Sequence, residues 1–125
     1  MELKFFKCKK CGQIVAIIKN SGAKLVCCNE EMTEIIPSSV DASKEKHVPV
    51  IDVIGDLVNV SVGSVNHPML EEHYIEWILL RTNFGNQRKT LKPNDLPMAS
   101  FKLLDGEEVI EAYAYCNLHG LWRSN

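Results

Sequence analysis

Leu57-Val58-Asn59-Val60-Ser61-Val62 alternates apolar and polar side chains from Val58 onward. A β-strand sends successive side chains to opposite faces. Val58, Val60 and Val62 therefore share one face, and Asn59 and Ser61 share the other. Gly55-Asp56 marks a turn just before this segment. The same texture continues outward in both directions. Candidate strands cover 48–54, 57–62, 73–82, 87–91, 99–104, 109–115 and 121–123. Asn83-Phe84-Gly85-Asn86, Lys92-Pro93-Asn94-Asp95 and Asp105-Gly106 supply turns between them. Residues 71–81 could also suit a short helix, but the centre Tyr74-Ile75-Glu76-Trp77-Ile78 favours a strand. Seven short strands over about 80 residues predict an all-β fold, an antiparallel sandwich of immunoglobulin-like type.

The segment before the sandwich differs in kind. Residues 1–36 carry four of the five cysteines and short candidate strands at 3–6, 14–18, 24–26 and 33–36, with turns at Gly12 and Ser21-Gly22. A unit below about 40 residues cannot bury enough apolar surface to fold alone without a metal, a disulfide or a partner. Residues 37–44, Pro-Ser-Ser-Val-Asp-Ala-Ser-Lys, read as a polar linker, and residues 45–125 hold the sandwich.

Composition narrows the class. The net charge of −2 is too small to point to nucleic acid or to an anionic membrane surface. No apolar run approaches the roughly 18 residues of a membrane span. The N-terminal Met1-Glu2-Leu3-Lys4-Phe5-Phe6-Lys7 is broken by charge too often for a signal peptide. A cytoplasmic location is the expectation, and there thiols stay reduced. Lys7, Lys9 and Lys10 flank the first cysteines, as a solvated basic turn or as a docking surface for an acidic partner.

Cys8-Lys9-Lys10-Cys11 is followed, after fifteen residues, by Cys27-Cys28. A Cys-x-x-Cys turn brings two thiolates to one ion, and a second pair completes a tetrahedral sulfur site. Adjacent side chains on an extended strand point apart, so Cys27 and Cys28 can share an ion only if the backbone bends there. A vicinal disulfide is the strained alternative. Zinc and iron both accept four thiolates, and the spacing does not separate them.

The remaining cysteine accompanies every histidine of the chain: His47, His67, His73, Cys116 and His119. Cys116-Asn117-Leu118-His119 places two potential ligands about one turn apart, while His67 and His73 bracket a turn containing Pro68. In a sandwich His47, His67 and His73 can lie at strand ends or loops, where function is carried on a rigid frame. Five such donors overfill zinc. A blue-copper site would want two His, one Cys and a weak Met, and no Met follows His119. Calcium and magnesium prefer oxygen. Five donors with one position open suit six-coordinate iron.

Glu45-Lys46-His47-Val48-Pro49, Gly63-Ser64-Val65-Asn66-His67-Pro68-Met69, His73-Tyr74-Ile75-Glu76-Trp77 and Tyr115-Cys116-Asn117-Leu118-His119-Gly120-Leu121-Trp122 resemble the iron-site segments of superoxide reductases. The four-cysteine module is similar to desulforedoxin. In this order, over essentially the full length, the two resemble the desulfoferrodoxin family of two-iron superoxide reductases. The resemblance implies one iron on Cys8, Cys11, Cys27 and Cys28. It implies a second on an equatorial square of His47, His67, His73 and His119, with Cys116 axial and the sixth position facing solvent. Glu45 would close that position in the oxidised state, and Lys46 would attract superoxide. The implied reaction joins superoxide, one electron and two protons into hydrogen peroxide. Reduced rubredoxin is the implied donor, and a homodimer the implied assembly. An electron carrier using the sulfur site alone, a zinc-ribbon interaction module fused to a sandwich, and a true dismutase are the competing readings.

Overall fold

The computed structural model describes residues 3–40 and 46–124. Twelve strands and no helix occur among the described residues. None of those residues forms a helix long and apolar enough to cross a membrane. The chain divides into two compact units, Met1–Ile36 and Pro37–Asn125.

In the first unit β1 (Phe5–Lys7) is the centre of a three-stranded antiparallel sheet, between β2 (Ile14–Ala16) and β5 (Thr33–Ile35). A two-stranded ribbon, β3 (Val26–Cys27) with β4 (Glu30–Glu31), forms its own small ladder. Among the described residues of this unit only Phe5, Cys8 and Met32 are buried and apolar, so its core is minimal. The ribbon differs from the expected strand at 24–26. Two exposed glutamates carry no strand signature, and β4 exists because the chain reverses tightly after Cys27.

The second unit is a seven-stranded sandwich. One sheet orders β10 (Met98–Lys102), β7 (Leu57–Val62) and β6 (Pro49–Ile54). The other orders β12 (Gly120–Arg123), β11 (Val109–Cys116), β8 (Ile75–Thr82) and β9 (Gly85–Thr90). Every pairing is antiparallel. The split into three and four is that of an immunoglobulin-like sandwich. As the alternation predicts, Val58, Val60 and Val62 are fully buried while Asn59 and Ser61 are half-exposed. They meet Ile78 and Leu80 of β8, Phe101 of β10 and the inward row Ala112, Ala114 and Cys116 of β11. Each buried Val, Ile or Leu contributes about 1.5–3 kcal/mol over leaving it in water.

The edges explain the polar strands. β9 is Gly-Asn-Gln-Arg-Lys-Thr and mostly exposed, a charged border that discourages pairing with another chain. At the opposite border Ser38 lies parallel to Trp122, its N–H donating to Leu121 O at 3.0 Å while Arg123 N–H donates to its own carbonyl at 2.8 Å. The described part of the expected linker thus covers the β12 edge. The strand expected from residue 73 begins at Ile75, because His73 exchanges backbone hydrogen bonds with Leu70 at 2.9 and 3.1 Å instead.

Candidate metal centres

The first cluster is built by two tight reversals. After β1, Cys8 N–H donates to Gln13 O and Gly12 N–H donates to Cys8 O, both at 2.9 Å, so residues 8–13 close into a loop that turns two thiols one way. The second reversal follows β3, where Cys28 and Asn29 take φ of 53° and 62°. These are left-handed conformations that supply the bend an adjacent cysteine pair requires. Cys11 Sγ lies 3.6 Å from Cys27 Sγ, and Cys27 Sγ lies 3.9 Å from Cys28 Sγ. All four sulfurs fall within 4.8 Å of one another, and no disulfide joins any of them. A tetrahedron of thiolates with metal–sulfur bonds of about 2.3 Å has edges of about 3.8 Å, so the cluster fits one ion.

Their acidities reflect the crowding. The Cys11 backbone N–H, donating to the Cys8 sulfur, draws Cys8 down to about 6 against the opposing effect of burial. Cys27 is pushed up to about 12, first by its hydrogen bond with Cys11 and then by that with Cys8. Cys28 is raised as well, chiefly by Cys11. One thiolate is favoured, and its neighbours hold protons to share with it. A cation replaces those shared protons, so metal binding here releases them.

The second cluster occupies one end of the sandwich. His47 precedes β6, His67 follows the turn after β7, His73 precedes β8, Cys116 ends β11 and His119 lies in the turn before β12. The strand registers bring these ends together, pairing Pro49 with Val62 and Cys116 with both Ile75 and Gly120. One donor atom each from His47, His67, His73 and Cys116 lies within 4.8 Å of the others. His119 joins them, its Nδ1 3.1 Å from His47 Nε2 and 3.9 Å from Cys116 Sγ.

The rings follow one another around a closed square. Centroids are 4.7 Å apart for His47–His67, 4.8 Å for His67–His73, 5.2 Å for His73–His119 and 4.9 Å for His119–His47. Each neighbour is steeply inclined, by 61° to 84°. Nitrogens bound at about 2.1 Å around a square would be about 3.0 Å apart along an edge, close to the His47–His119 contact. His67 Nδ1 donates to Pro68 O at 2.7 Å, since a carbonyl only accepts. That leaves the lone pair on Nε2, and this atom is buried. Cys116 has no exposed surface, while His119 is exposed. The sulfur is thus a buried member of the cluster and His119 its exposed one.

Two further residues shape this cluster; both lie in the segments that resemble iron sites, without a role of their own assigned there. Trp122 stacks on His47, centroids 4.5 Å apart and 13° from parallel, and its Nε1–H donates to His119 O at 3.1 Å. Gly63 lies under Lys46: a Cβ at 63 would come within 2.9 Å of the Lys46 carbonyl carbon, carbonyl oxygen and Cβ. A glycine opening a turn is a visible signal, but the segment it makes room for is not. Gly63→Ala is expected to displace the Lys46–His47 segment, costing about 1–3 kcal/mol of stability and part of the metal content of this site. Metal per chain and thermal unfolding measure both, and full loading at unchanged stability would show that the segment gives way freely. Lys46 adjoins the cluster through His47; Glu45 lies outside the described residues.

The arrangement has clear relatives. The family model described as desulfoferrodoxin matches residues 39–125, and that of the desulfoferrodoxin N-terminal domain matches residues 1–35. The desulfoferrodoxin of Syntrophotalea carbinolica is 46% identical over 123 residues, covering 98% of this chain and 96% of that protein. The superoxide reductase of Treponema pallidum superposes with a TM-score of 0.87 at 39% identity, covering 99% of this chain and 98% of its own. A one-iron superoxide reductase from Giardia intestinalis superposes at 0.56 with 40% identity, covering 65% of this chain and 96% of its own.

Proposed function

Because the chain belongs to the desulfoferrodoxin family, we propose that it works as a superoxide reductase with two iron ions per chain. The observation that carries this reading is the closed ring of four imidazoles with one buried thiol within reach of them. Zinc is complete at four ligands, whereas five donors leave a six-coordinate ion one position to offer. When bound, iron supplies a one-electron reductant with a position open to a small anion. Superoxide, one electron and two protons then yield hydrogen peroxide, and no oxygen forms.

The chain's own residues have distinct tasks. His47, His67, His73, His119 and Cys116 would hold the iron between them. Burial keeps the Cys116 sulfur away from bulk oxidants, while Trp122 braces two of the rings. Lys46 stands next to His47 and brings a positive charge to the entrance for an anionic substrate, in a unit that is otherwise net acidic. Glu45, one residue further, would supply the carboxylate that closes the entrance between turnovers. Cys8, Cys11, Cys27 and Cys28 would hold the other iron in a desulforedoxin-like domain at 1–36, apart from the reductase domain at 45–125.

A rubredoxin-type protein is our proposed electron donor, on the strength of the family resemblance. The minimal core of the first unit and its exposed Ile18 and Ile36 support a homodimer. Five cysteines with no disulfide among them support a reducing cytoplasm.

The test is rapid mixing of the reduced protein with superoxide, measuring peroxide and oxygen together. Peroxide without oxygen is expected. Oxygen in equal amount would indicate dismutation, and no reaction would remove the enzyme reading. In the same assay Lys46→Ile is expected to slow association about 10-fold at low salt and to flatten its dependence on ionic strength. An unchanged rate at low salt would show that Lys46 does not guide the anion.

A further inference from the structure

Asn117 stands between Cys116 and His119, just beyond the end of β11. Its backbone N–H donates to Tyr74 O at 3.2 Å. Its Oδ1 accepts from Tyr74 N–H at 2.9 Å, and its Nδ2 donates to Glu72 O at 3.0 Å. One residue therefore grips the chain on both sides of His73. The last ladder partner of Cys116 on β8 is Ile75, so residues 72–74 lie beyond the sheet. The amide of Asn117 stands in for the strand that has turned away. His73's own N–H and C=O are tied to Leu70, so the backbone from 72 to 74 is anchored at each residue.

The same clamp recurs at the other end of β8. Asn83 N–H donates to Glu108 O at 3.1 Å, Asn83 Oδ1 accepts from Glu108 N–H at 2.7 Å, and Asn83 Nδ2 donates to Gly106 O at 3.1 Å. The eight residues of β8 separate the two clamps by about 25 Å. An asparagine is thus a general way to finish this kind of ladder. At one end it holds an ordinary loop, and at the other it holds a histidine of the metal cluster.

We propose that Asn117 is a positioning residue that fixes His73 against Cys116 and His119, so that three of the five donors keep their relative places through one side chain. The proposal rests on reading the histidine cluster as a metal centre. The chemistry requires asparagine. Alanine offers neither bond. Aspartate can accept from Tyr74 N–H but cannot donate to Glu72 O. Glutamine reaches one carbon too far.

Asn83→Ala is the matched control, because it removes the same bonds away from the metal. With the full iron-loaded chain, loss of ferrous ion from the histidine site to a chelator would be followed for wild type, Asn117→Ala and Asn83→Ala. Asn117→Ala is expected to weaken iron affinity about 10–100-fold, the usual effect of removing a group that orients a ligand. It should also shift the reduction potential of that site. In the metal-free chain, hydrogen exchange in a peptide covering 70–75 should accelerate. Asn83→Ala should lower the unfolding temperature comparably, with iron affinity, potential and that peptide unchanged. If Asn117→Ala does not fold, Asn117→Asp carries the test. Its added negative charge alone would favour a cation, so a fall in affinity would report lost geometry. An Asn117 variant that holds iron as well as Asn83→Ala overturns the positioning role. A wild-type chain with no iron in the histidine cluster overturns the metal-centre reading itself, and this role with it.

Discussion

Cys116→Ser is expected to abolish the thiolate-to-iron charge-transfer band of the histidine site while the band of the four-cysteine site persists. The argument begins with β11. Ala112, Ala114 and Cys116 form its inward row and are all fully buried. The small side chains leave room at the end of the row for a sulfur pointing toward the imidazoles, 3.9 Å from His119 Nδ1. A buried thiol at the end of a strand is also what an ordinary core cysteine looks like. The two cases separate sharply. A core thiol replaced by a hydroxyl would cost stability and leave the spectrum alone. A ligand replaced by serine would leave iron on four nitrogens, change its potential and reduce turnover by at least the about 10–100-fold that loss of a mere ligand-orienting group costs. Ferric spectra before and after the substitution, with iron measured per chain, decide between them. An unaltered histidine-site spectrum at full loading would remove Cys116 from the ligand set and most of the enzymatic reading with it.

The sandwich was legible because its solvent-facing strands alternate. The pattern Val58-x-Val60-x-Val62 could be read directly, and burial follows it residue for residue. β11 was less direct, since Tyr113 and Tyr115 are buried on its other face, where the half-buried Glu111 is the one charged residue of the strand. Strand ends were the least legible. His73 looks like the start of β8, but a local exchange with Leu70 takes its backbone out of the ladder. β4 could not be read at all, because two exposed glutamates pair only as a consequence of the turn at Cys28 and Asn29.

The donors themselves were legible by type and spacing, since cysteine and histidine are scarce in this chain. Their assembly was not. His47 and His119 stand 72 residues apart in sequence, and only the registers of four strands bring their rings to 4.9 Å. The supporting residues left still less trace. Gly63, Asn117 and Trp122 fall within the segments that resemble iron sites, but nothing in their type assigns them a task, and only the pairing of β8 with β11 places Asn117 beside His73.

Cys28→Ser is expected to have the largest structural effect with the smallest catalytic one. Cys28 has a φ of 53° and is exposed, and serine tolerates that conformation no worse than cysteine does. The substitution therefore tests the sulfur and not the turn. Three thiolates remain, and the ion they hold should be lost or labile. Among its described residues the first unit then keeps only Phe5, Cys8 and Met32 as buried apolar side chains, too few for a unit of this size to hold its fold. Metal binding free energy is folding free energy in such units, so removing a ligand should melt residues 1–36. Loss of the four-cysteine band and collapse of amide chemical-shift dispersion in that unit would report it. The sandwich has its own continuous core of Val58, Val60, Ile78, Leu80 and Phe101 and its own donors. Superoxide reduction by pre-reduced protein should therefore stay within a few-fold of wild type. Steady turnover with an external donor asks a further question. If it also survives, electrons enter the histidine site directly. If it stops while that site remains fully loaded with iron, the four-cysteine centre is an obligatory relay, and its role extends beyond holding the first unit together.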